Sequence, residues 1–150
     1  MKTTLIAIAS SAVLLSACAG HQHGPSAEAK LAPTKGHTTT GTVVFRQRGH
    51  DVEVTAHVAG LTPGAHGFHI HEKGDCSSGD GMSAGGHFNP LGKGHGHMSD
   101  VGKHAGDLPN LRADAYGVAT FSVEADGIAI GSGATDIVGK GLIVHRDPDD

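Results

Sequence analysis

Apolar and polar residues alternate with a period of two over several short stretches of this chain, and no stretch sustains a helical period. Val52, Val54, Ala56 and Val58 interleave with Glu53, Thr55 and His57, as expected of a strand with one buried face. Thr42-Val43-Val44-Phe45 precedes them across the turn at Arg48-Gly49-His50, so the two segments read as an antiparallel pair. His57 falls on the polar face and is expected at the surface. Leu61-Thr62-Pro63-Gly64 is turn chemistry. Further strands are predicted over Phe68–His71, Gly117–Val123, the short Ile128–Ile130, and finally Ile137–His145. Residues 72–110 carry no period and are expected to be loop throughout. A connection of that length within a domain is either functional or disordered. The pattern predicts an all-β antiparallel sandwich or flattened barrel.

At 150 residues the chain is long enough for one domain. Its 24 glycines are well above the average share of about 7% and fit a loop-rich architecture. Aromatics make up only 3% and Trp is absent, which leaves almost nothing for bases to stack on. With a formal charge of −4 and no long basic run, the chain is not a nucleic-acid binder.

The N-terminus reads as an address. Lys2 precedes an apolar run from Leu5 to Leu15, too short to span a bilayer but suited to the core of a signal peptide. The run ends Leu15-Ser16-Ala17-Cys18, which resembles a bacterial lipoprotein box. Residues 1–17 would then be the signal peptide and Cys18 the lipidated first residue. The alternative is an ordinary secretory signal with a chance cysteine. Ala19 at the second mature position favours, by analogy, the outer membrane of a Gram-negative cell and hence the periplasm. Residues 18–37 are small, polar and interrupted by proline, and are expected to form a flexible tether carrying His21 and His23.

The candidate chemistry lies between Gly64 and Asp107. His69 and His71 are two apart, so on a strand both imidazoles share a face while Phe68 and Ile70 point into a core. His87, His95, His104 and Asp107 follow in glycine-rich sequence. Three imidazoles and a carboxylate suit a closed tetrahedral zinc site, and an all-nitrogen set suits copper. Residue types alone leave open both two metals and one metal with additional surface histidines.

Four motifs in order resemble the copper,zinc superoxide dismutases: Gly67-Phe68-His69-Ile70-His71, Gly86-His87-Phe88-Asn89-Pro90, His104-Ala105-Gly106-Asp107-Leu108 and Gly141-Leu142-Ile143-Val144-His145. The likeness runs over residues 38–150, and the wording around Cys76 and Met82 resembles the bacterial periplasmic branch. It implies a Greek-key β-domain, superoxide as substrate and a lipid-anchored periplasmic enzyme, with a homodimer possible. It places copper on His69, His71, His87 and His145, and zinc on His87, His95, His104 and Asp107. His87 is then shared and catalytic, carrying a proton to the second superoxide. Asp149 would orient a ligand of each metal from behind. His66 and His97 match no ligand position and are expected in loops or behind the ligands.

Relatives continue past the equivalent of Asp150 with a charged loop, an arginine beside the copper, a second disulfide cysteine and a final strand. The expectation is therefore a full ligand set on a barrel lacking its last strand, with Cys76 at a disulfide position but unpaired. Arg146 does not match that arginine's motif. The competing function is a copper- and zinc-binding lipoprotein with little or no turnover.

Overall fold

In a computed structural model, which describes residues 24–96 and 102–149, the period-two segments form seven strands: β1 (Ser26–Leu31), β2 (Thr40–Arg48), β3 (Asp51–Ala59), β4 (Gly64–His71), β5 (Asp107–Ala113), β6 (Ala119–Ala125) and β7 (Gly141–Val144). They make two antiparallel sheets, ordered β1-β2-β3-β6 and β5-β4-β7. The chain leaves the first sheet after β3, builds β4 and β5 in the second, and returns to lay β6 beside β3. Such non-consecutive pairing is of the Greek-key kind.

The alternation in β3 sets the register. Val52, Val54, Ala56 and Val58 are buried and stand opposite Gln47, Phe45, Val43 and Gly41 of β2. Their faces meet Phe68, Ile70, Leu108 and Leu111 of the second sheet in one core. Phe68 and Phe121 close it edge to face, with centroids 5.9 Å apart. His57 is exposed, as its position on the polar face requires.

Four expectations are corrected. The tether drawn over 18–37 contains β1, which pairs with β2 from Ser26↔Arg46 to Leu31↔Gly41. Ala27, Ala29 and Leu31 pack against the core while Ser26, Glu28 and Lys30 face solvent. Alanine offers so little apolar surface that this alternation is faint, and pairing with β2 supplies what side-chain burial does not. Lys35 also donates its N–H to the Gly79 carbonyl at 2.9 Å. Residues 18–23 lie outside the described residues.

The loop expected over 72–110 ends earlier, at β5, and contains a 3₁₀ turn at Met82–Ala84. The stretch Ile128–Ile130 forms a single bridge between Ala129 and Asp136, and the last predicted strand shortens to Gly141–Val144. Ile137 still reaches the core.

Candidate metal centre

Strand β4 brings His69 and His71 into the interior, where both are buried, and β7 lies beside it with Phe68 opposite Val144. His145 is the residue after β7. Its N–H donates to the Gly67 carbonyl at 2.8 Å, and Gly67 N–H donates to the Asp147 carbonyl at 2.9 Å. These bonds hold the chain beyond β7 against β4. An isolated bridge between His71 and His87 places the third segment, and β5 begins with Asp107.

Two groups of potential ligand atoms result, one from His69, His71, His87 and His145 and the other from His87, His95, His104 and Asp107. His87 belongs to both. Its Nδ1 is 2.9 Å from Asp107 Oδ1, which leaves Nε2 for the other group. The Nδ1 atoms of His95 and His104 lie 3.2 Å and 3.3 Å from the Asp107 carboxylate. Ligands about 2.0–2.1 Å from a tetrahedral centre stand roughly 3.3 Å apart, so these contacts have the length of a tetrahedron's edges.

In the first group the ring nitrogens await a partner. His71 Nδ1 is 2.8 Å from the Gly85 carbonyl, to which it donates, so Nε2 keeps its lone pair. That Nε2, His145 Nε2 and His69 Nδ1 are buried with no hydrogen-bond partner. Orphaned buried polar atoms are costly, and three of them converging in one place fit a cation. Behind the ligands, Asp149 spans both groups: Oδ2 lies 3.1 Å from His69 Nε2 and Oδ1 lies 3.0 Å from His95 Nε2. Asn110 Oδ1 accepts the Asp149 N–H at 3.1 Å and so steadies the carboxylate's backbone.

The model of the family described as copper/zinc superoxide dismutase (SODC) matches residues 39–150. This chain belongs to that family. Superoxide dismutase [Cu-Zn] of Onchocerca volvulus is 44% identical over 122 residues, spanning 80% of this chain and 76% of that protein. The crystal structure of the clock protein EA4 aligns with a TM-score of 0.78 at 39% identity, over 87% of this chain and 81% of that one. Copper and zinc are the cofactors of a copper/zinc superoxide dismutase, and the two donor groups suit them in residue type and spacing.

Burial prepares the rings of His145, His69 and His71 as neutral donors. Burial pushes the His145 pKa down to about 4, helped by His69, His71 and His87. Burial also lowers His69 and His71, against the opposing pull of Asp149 on the first and of the Gly85 carbonyl on the second. At His95 burial is outweighed by Asp107 and Asp149, which raise its pKa. Burial likewise opposes the charge on Asp107, but the hydrogen bond from His87 and the N–H groups of Gly96 and His104 prevail and lower it. Asp149 is lowered in the same way by His69 and His95.

The seven residues expected as ligands are thus brought together in the two groups, and Asp149 touches one histidine of each. His66 is not in a loop. It lies in β4, buried, with Nδ1 2.8 Å from the His145 carbonyl and Nε2 2.8 Å from the Thr62 carbonyl. Its spacing from His69 gave no sign of this, since both partners are backbone groups. His37, unmarked in the sequence, lines the open cleft over the site together with Arg146, Asp147 and Pro148. Cys76 is exposed and makes no disulfide among the described residues. Cys18 and His97 lie outside the described residues.

Proposed function

We propose that this chain dismutates superoxide at the paired centre, with His69, His71, His87 and His145 holding copper and His87, His95, His104 and Asp107 holding zinc. The observation that carries the reading is the membership of His87 in both donor groups. Copper, when bound, supplies the one-electron exchange that lets one superoxide become dioxygen and the other, with two protons, hydrogen peroxide.

The protein supplies the rest. His87 Nε2 faces the copper group and is the atom at which the ring takes up and delivers a proton. In the metal-free protein Asp107 holds His87 from the Nδ1 side at 2.9 Å; with zinc bound, that nitrogen and the carboxylate would both turn to the ion, which would keep the ring's aim. Asp149 fixes the orientation of His69 and His95 together. The cleft is open to solvent, and Arg146 stands on its wall paired with Asp147 at 3.1 Å.

The same proposal includes a setting. The run from Leu5 to Cys18 supports a lipid anchor on Cys18 and a periplasmic, outer-membrane location, and the mass of the N-terminal peptide from cells tests it. The folded chain is proposed to act as a homodimer, which sedimentation would check.

For the activity, the protein is loaded with copper and zinc and followed by electron paramagnetic resonance and by superoxide consumption. One copper and one zinc per chain with turnover supports the reading. Both metals bound without turnover would leave a metal-binding protein. No retention of either would remove the metal centre altogether.

A further inference from the structure

A closed ring of hydrogen bonds joins three of the backbone segments that carry the candidate ligands. Ile70 N–H donates to the Gly106 carbonyl at 2.9 Å, Gly106 N–H donates to the Phe88 carbonyl at 2.9 Å, and Phe88 N–H donates to the Ile70 carbonyl at 2.8 Å. Each residue gives one bond and receives one. Each also stands next to ligands: Ile70 between His69 and His71, Phe88 after the shared His87, Gly106 before Asp107. The side chains of Ile70 and Phe88 are buried in the core, so two corners are anchored.

The third corner tolerates no side chain. A Cβ on Gly106 would meet the Ile70 carbonyl oxygen at 2.3 Å, the Phe88 nitrogen at 3.0 Å and the Phe88 Cβ at 3.1 Å. All three obstacles belong to the other two corners, two of them backbone atoms and the third a buried Cβ, so relief requires the ring to open. The reason for glycine here is space.

We propose that this ring is a second coupling between the two metal positions, independent of the shared imidazole, with Gly106 as its positioning residue. It fixes the distance from the copper-side strand to the zinc-side loop whichever cation His87 holds. Zinc binding at Asp107 is therefore felt at His69 and His71 through the backbone, and by reciprocity copper binding is felt at Asp107. The inference rests on the ligand assignment proposed above.

Native-state hydrogen exchange on the unmodified chain tests it. The ring predicts that the amides of Ile70, Phe88 and Gly106 open as one unit, with protection factors within about threefold of one another, and that zinc slows all three by the same factor. Unequal protection, or slowing confined to Gly106, overturns the coupling while leaving the metal assignment standing. If the chain binds neither cation, both fall.

Gly106→Ala adds a second readout. It should weaken zinc about tenfold or more in chelator competition and abolish the zinc-dependent change in the copper resonance spectrum at matched occupancy. Gly41→Ala is the control, because its Cβ would meet the His57 carbonyl at 2.5 Å on the far sheet. It should lower thermal stability without changing zinc affinity. Equal loss of zinc affinity in both variants, or none in Gly106→Ala, overturns the proposal, and should Gly106→Ala fail to fold, the exchange experiment decides.

Discussion

The imidazole of His66 ties the His145 carbonyl into the sandwich: its Nδ1 lies 2.8 Å from that oxygen, across 79 positions of sequence. Its other nitrogen faces the Thr62 carbonyl, so the ring bridges the start of the copper-side strand and the end of β7. Replacing it by alanine removes the ring that faces both carbonyls and opens a cavity where the buried side chain stood. His66→Ala should cost roughly 2–4 kcal/mol of stability and loosen His145. Urea denaturation together with copper affinity would check both parts, and an unchanged copper affinity would show that the bridge serves the fold alone.

Asp149 touches one histidine of each donor group and belongs to neither group. Its removal frees His69 and His95 to turn. Asp149→Ala should weaken zinc and copper by about 10–100-fold with a smaller effect on the stability of the metal-free protein. Competition with a chelator measures the first and thermal melting the second.

Acid should destabilise the metal-free protein before its carboxylates titrate. His145 is depressed in the folded state from 6.5 to about 4, and His69 and His71 are depressed as well. The unfolded chain then binds more protons than the native one in that window, so stability rises with pH there. The contribution of these rings is present above about pH 6.5 and is lost as pH falls towards 4. His95, raised by its two carboxylates, acts in the opposite sense and is lost as pH rises through its folded value. The three depressed rings outnumber it. Melting temperatures of metal-free protein at pH 7 and pH 4.5 should therefore differ, the lower pH melting first. A flat profile would mean that the three rings are no more buried than in the unfolded chain.

Strand β1 offers a separate test. Deleting residues 24–33 from the chain removes the pairing with β2 and uncovers the contacts of Ala27, Ala29 and Leu31. A loss of about 2 kcal/mol or more is expected from the apolar area alone. A solvated tether would leave stability within roughly 0.5 kcal/mol.

The sequence by itself determined the strand-forming alternation of β2 and β3, the placement of His69 and His71 together on β4, and, through its motifs, the seven candidate ligands that the fold gathers into two groups. Those features are local or carried by short motifs, so side-chain type and spacing suffice to read them. Only the tertiary structure decided that residues 26–31 form a strand, because a segment whose inward positions are two alanines and a leucine becomes one when a neighbour supplies hydrogen bonds. It also decided that His66 serves the backbone of His145 and that Gly106 must be glycine. Both facts depend on carbonyl groups from distant segments, and every residue carries the same carbonyl, so nothing in a list of side chains points to them.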